Sequence, residues 1–117
     1  MSKKLKLTRE DLSQYQSLII ARDSLTGQIK EYDQLSRSDH TGRAARRIRS
    51  LEAQQKIIDE RMEEIENFVD SIEDPEIRTI CSLHYLDGLT WEATCIQVRK
   101  HSSAAVITRK IEAFFDE

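Results

Sequence analysis

The chain has 117 residues, of which 33% are charged and 38% hydrophobic, with three Gly, one Pro and a formal net charge of −3. So few breakers among so many Glu, Arg, Lys, Leu and Ile favour long helices over a sheet. Aromatic residues at 6% argue against a large globular core, so a small core needs help from helix pairing or oligomerisation.

Distribution of charge says more than its sum. Nine acidic residues crowd between Asp59 and Glu76. Bases gather at Lys3, Lys4 and Lys6, from Arg37 to Arg49, and from Arg99 to Lys110, and no acid falls between Gln97 and Ile111. There is no 18-residue apolar run, so no membrane span is expected. The opening Met-Ser-Lys-Lys has no apolar segment after it, so no secretory signal is expected. A cytoplasmic protein with two free thiols, Cys81 and Cys95, follows from that reading.

Residues 1–7 read as a frayed, flexible basic tail. Thr8 can cap a first helix, with Asp11 completing an acidic capping box. Tyr15, Leu18, Arg22, Leu25, Ile29 and Tyr32 then follow at alternating steps of three and four, a heptad seam with one charged member. The stretch from Ser36 to Gly42 is small and polar and reads as a loop. Ala44, Ile48, Leu51, Gln55, Ile58, Met62, Ile65, Val69 and Ile72 form a second seam, the strongest periodic signal in the chain. Two helices of about 28 residues, each about 42 Å long, joined by a short loop imply an antiparallel, coiled-coil-like hairpin over 8–73. Seam meets seam where residue numbers sum to about 80, which sets Arg22 near Asp59 and Glu60. Ile19, Ile57 and Phe68 are left on a flank that a second chain or the terminal domain must cover. A homodimer built on this seam is therefore expected.

Asp74-Pro75 is a cap followed by a first helical residue. A third helix is predicted from Pro75 to Leu86, stopped by Asp87-Gly88 with Gly in the left-handed position. Thr90 caps a fourth helix, Trp91 to about Val98. Ser102 or Ser103 caps a fifth, with Ala104, Ile107, Ile111 and Phe114 as its core stripe. Three short helices with a tight Gly turn, over 74–117, have the grammar of a helix-turn-helix. The fold class is thus all-α, a long hairpin followed by a helix-turn-helix domain.

The run Leu83-His84-Tyr85-Leu86-Asp87-Gly88-Leu89-Thr90-Trp91-Glu92 resembles the helix-turn-helix of sigma-factor region four. With the Trp after Thr90, the small size and the upstream helices, the chain looks more like the ArpU/RinA-type phage regulators of late genes. The resemblance spans residues 75–115 and implies double-stranded DNA as ligand, late-gene promoters as targets and RNA polymerase as a possible contact. The sequence departs from that family at Thr94-Cys95, where Ile-Ala is usual. It departs again at Val98-Arg99-Lys100-His101-Ser102, which lacks the usual turn Gly.

In this reading Arg99, Lys100 and His101 grip the DNA backbone. Ser102 and Ser103 offer a capped helix start to a phosphate. Thr108, Arg109 and Lys110 face the groove, with Arg109 reaching a guanine edge. His84 is expected to face a backbone phosphate. Arg43, Arg46, Arg47 and Arg49 form a second basic patch near the hairpin tip, able to touch DNA, to meet the acidic stretch of another molecule, or simply to be solvated. The hairpin and dimer seam comprises Leu18, Leu25, Ile29, Ile48, Leu51, Ile58, Met62, Ile65 and Val69. Trp91 is read as closing the three-helix core rather than stacking on a base.

Cys81, His84, Cys95 and His101 invite a zinc reading, but both Cys occupy apolar helix positions, where free Cys behaves as a small hydrophobe. No metal or cofactor is expected. No phosphate loop, nucleophile elbow or paired acid–base site is present, so no enzyme is expected. The function expected is a phage- or prophage-type DNA-binding transcription regulator. Two alternatives remain: a small terminase-type subunit that recognises DNA for packaging, and a protein-interaction adaptor with a degenerate helix-turn-helix.

Overall fold

The computed structural model describes residues 6–98 and 103–116, and all its elements are helical. They are α1 (Arg9–Ser13), α2 (Tyr15–Ser36), α3 (Arg43–Asp70), α4 (Pro75–Cys81), α5 (Trp91–Val98) and α6 (Ala104–Phe115), with a π-helical turn, Ser82–Leu86, directly after α4. No described helix is long and apolar enough to cross a membrane. The chain forms two compact units. One spans Met1–Gln16 and Glu64–Glu117, the other Ser17–Glu63. The compact units therefore divide the chain differently from the boundary expected at residue 73, since the first unit takes in both the start of the chain and the end of α3.

The helix starts follow cap chemistry. Thr8 and Asp11 form the reciprocal capping box at α1. The single helix expected from Thr8 onward is interrupted at Gln14. The Ser13 hydroxyl donates to the Glu10 carbonyl at 2.8 Å, the acceptor that the Gln14 amide would use in a continuous helix. That amide turns to Asp11 O instead, at 3.3 Å, a tightened turn of the kind Ser promotes by competing for backbone partners. Asp74 caps α4 by accepting from Glu76 N and Ile77 N, with Pro75 first in the helix. Ser103 caps α6 by accepting from Val106 N.

In the Ser17–Glu63 unit, Leu25, Ala44, Leu51 and Met62 are buried, while Leu18, Ile29, Tyr32, Ile48 and Ile58 are half-buried. Gln55 donates to the Thr26 hydroxyl at 2.8 Å, linking α2 and α3 through residues whose numbers sum to 81. Arg22 does not reach the acids expected for it. Its Nε lies 4.0 Å from its chain neighbour Asp23. Asp39 holds the start of α3. Its carboxylate accepts from Ala44 N at 2.8 Å and from the Thr41 hydroxyl at 2.6 Å, and these bonds hold it down to about 2. Arg43 and Arg47 line a cavity of 660 Å³ with Tyr32, Leu35 and Asp39, and all four arginines of the patch are exposed. Ile20, Leu35 and Ile57 are also exposed, at 71%, 57% and 66%.

The other unit holds the denser core. Leu12, Ile65, Val69, Ile80, Cys81, Thr94, Ile107 and Ile111 are all 2% exposed or less. Ile65 and Val69, expected on the long seam, belong to this core. Leu7, expected in the frayed tail, is buried too, at 4%. Phe68, expected on an uncovered flank, stacks on Phe115 with ring centroids 6.4 Å apart. Leu7, α1 and the end of α3 thus complete the apolar shell around α4, α5 and α6, because three short helices alone bury too little surface.

Candidate nucleic-acid interface

The candidate surface is carried by α6, which packs against α4 and α5, and the turn before α5 fixes how α5 leaves α4. That turn is closed from four directions. Gly88 takes φ +77°, the left-handed conformation that glycine adopts without penalty. The Asp87 amide donates to Ser82 O and the Leu89 amide to Leu83 O, both at 3.0 Å. These bonds reach back five and six residues, against four in an ordinary α turn, and the five-residue step is the mark of the π turn. The helix predicted to run unbroken to Leu86 therefore widens from Ser82 onward.

Gln16, from the first turn of α2, supplies the third closure. Its Nε2 donates to Tyr85 O at 3.2 Å and Leu86 O at 2.7 Å, satisfying carbonyls that a helix end leaves orphaned. His84 supplies the fourth. Its Nδ1 lies 2.7 Å from Leu89 O, so the Nδ1–H tautomer donates there. Its ring stacks on Trp91, centroids 3.6 Å apart at 17°, while Tyr85 meets both rings edge-on. Burial lowers the His84 pKa from its usual 6.5, with Arg9 acting in the same direction.

His84, expected to face a phosphate, is here half-buried, with Nδ1 bonded to Leu89 O and its ring stacked on Trp91, and it helps lock the turn. Trp91 belongs to the same cluster, half-buried against His84 and Tyr85.

On α6 the buried stripe is Ile107 and Ile111, with Ala104, Phe114 and Phe115 half-buried. Ser103, Ala105, Val106 and Arg109 are exposed. The groups expected to meet DNA divide sharply. The Thr108 hydroxyl donates to Ala104 O at 2.7 Å. Lys110 Nζ donates to Glu76 Oε1 at 2.8 Å, an ion pair that raises the lysine pKa. Lys110 also lines a cavity of 830 Å³ with Phe68, Ile72, Ile77 and Phe114. It faces α4 rather than the outward side of α6, because the i+3 step from Ile107 carries it round toward Glu76. Arg109, in the second turn of α6, is exposed with no bonded partner among the described residues. Arg99, Lys100, His101 and Ser102 lie outside the described residues.

Two contacts were not legible in the sequence. Arg9 Nε donates to Tyr85 Oη at 3.5 Å, and its Nη1 lies 3.6 Å from Glu112 on α6. The hydrogen bond to Tyr85 raises the Arg9 pKa. Only the cation in the first turn of α1 hinted at such a role. The thiols have opposite settings. Cys81 is fully buried and burial pushes it up to about 12, whereas Cys95 is half-buried. Among the described residues, no group of three His, Cys, Asp or Glu is gathered that could hold a metal ion.

The chain matches no family model, no curated protein and no solved structure.

Proposed function

We propose that this chain is a DNA-binding transcription regulator. In this reading α4, α5 and α6 form a helix-turn-helix, with α6 as the recognition helix. The observation that carries it is the outward side of the first two turns of α6. This side is headed by the Ser103 cap and presents Arg109 with no bonded partner among the described residues, in a stretch free of acids from Gln97 to Ile111. A helix start offers backbone amides to a phosphate, and an unpaired arginine on the same side can reach a base edge. The four-way closure of the turn before α5 supports the reading, since the supporting helices of a helix-turn-helix must be held firmly. The resemblance to sigma region four and to ArpU/RinA-type regulators adds late-gene promoters and contact with RNA polymerase to the proposal.

In the same reading α2 and α3 are an antiparallel hairpin that pairs two copies. The exposed Ile20, Leu35 and Ile57 supply apolar surface for that purpose. Two weak readers joined in this way gain affinity through effective concentration. Ring oligomers by mass measurement, instead of dimers, would favour a terminase-type packaging role.

The test is binding of fluorescent duplex DNA at increasing salt. A reader of phosphates and bases loses affinity steeply as salt rises. Arg109→Ala should weaken specific binding about tenfold or more, and Lys110→Ala should cost far less because Lys110 is engaged by Glu76. The adaptor reading is favoured by Ile96, which is 77% exposed on α5. It predicts no DNA affinity even at low salt.

A further inference from the structure

We propose that α6 selects thymine methyl groups next to a guanine, with Ala105 and Val106 reading the methyls and Arg109 reading the guanine. The proposal rests on the DNA-binding reading above and specifies the chemistry of its target. It starts from which side chains of α6 the fold already engages. Of the polar side chains of α6 expected to face the groove, Thr108 is bonded back to Ala104 and Lys110 is bonded to Glu76. Ser103 is occupied by the Val106 amide at 3.3 Å.

Of the exposed side chains in the first two turns, those without a bonded partner among the described residues are one guanidinium and a set of methyl groups. Ala105 is exposed and Val106 is 40% exposed. They stand four and three residues before Arg109, the two spacings that place side chains side by side on a helix. A small aliphatic residue costs nothing in water if it is solvated by chance. Two of them flanking the uncommitted arginine form a composite surface whose chemistry matches the major groove. That groove presents the guanine O6 and N7 acceptors to arginine, and the thymine C5-methyl to small apolar side chains. Neighbouring side chains at these spacings lie about 5–6 Å apart, under two base steps of about 3.4 Å each. The thymine and guanine should therefore fall within two base pairs of one another. Adenine, which asks for an amide side chain, is not served by any exposed group in these turns.

The experiment uses the full chain. Duplexes selected from a randomised pool are resynthesised with uracil in place of thymine at each position in turn, so that only the methyl is removed. The expected result is about a three- to fourfold loss of affinity at one or two thymines next to an essential guanine, the factor carried by burying one methyl-sized group. Val106→Ser should abolish the thymine-over-uracil preference while retaining dependence on the guanine, with helix content checked by circular dichroism. Tight binding with equal affinity for thymine and uracil duplexes overturns this proposal and leaves the DNA-binding reading standing. An unchanged preference in Val106→Ser overturns the residue assignment. Absence of binding to any selected duplex at low salt overturns both.

Discussion

Gly88→Ala and Gln16→Ala should interact strongly, although the two positions are far apart in sequence. A Cβ on Gly88 would stand 3.0 Å from Cδ and Oε1 of Gln16, and the backbone there is left-handed at φ +77°. Placing alanine in that conformation costs about 1–2 kcal/mol. The new methyl also displaces the Gln16 amide, which holds Tyr85 O and Leu86 O. Two lost hydrogen bonds cost about 1–3 kcal/mol together. Gly88→Ala in the wild-type background should therefore destabilise by about 2–5 kcal/mol. Once Gln16 is already alanine, only the backbone strain of about 1–2 kcal/mol should remain. The coupling is read from urea unfolding of the four proteins, followed by fluorescence of Trp91, the chain's one tryptophan. Losses that add within about 0.5 kcal/mol would refute the clamp, because Gln16 would then be yielding without giving up its bonds.

Two further outcomes follow from the same turn and its neighbours. His84 has a folded pKa below the ordinary 6.5, so the unfolded chain binds the proton more readily. Its contribution to stability is full above pH 6.5 and is lost as pH falls from there through the lowered folded value. The urea midpoint should drop between pH 7.5 and 5.5, and His84→Gln should flatten that slope; an identical slope in the variant would place the titration elsewhere. For the thiols, Cys95 should react with a thiol reagent in the native protein, while Cys81 should react only at the rate of unfolding. Burial and a pKa of about 12 withhold its thiolate. Equal native rates, followed by mass spectrometry, would contradict its burial.

What the sequence disclosed and what it hid divide along sequence separation. Thr8, Asp74, Thr90 and Ser103 were legible as caps because a cap bonds an amide two or three residues away. Gly88 was legible because the left-handed position after a helix calls for glycine. Ile107 and Ile111 were legible by spacing. Arg9 on Tyr85 and Gln16 on Leu86 were not, since each bond spans 70 residues or more and no periodicity encodes it. The ion pair of Lys110 was hidden for the same reason, since its partner Glu76 lies 34 residues earlier. The bond of His84 to Leu89 and its stacking on Trp91 were hidden because these partners gather only once the turn exists.

The π turn has an evolutionary consequence. Between Cys81 and Gly88 the chain carries one residue more than an ordinary helix end would use, and removing it would relax the widened rings into regular helix. Each residue of a regular helix advances the chain by about 100°, so the same deletion would swing Gly88 away from Gln16 and carry the Thr90 cap round with it. Substitutions inside Ser82–Leu86 can be absorbed one side chain at a time, whereas a change of length cannot. Descendants of this chain should therefore vary in letters through this segment while conserving its count, and an insertion or deletion there should appear only with a rebuilt connection to α5.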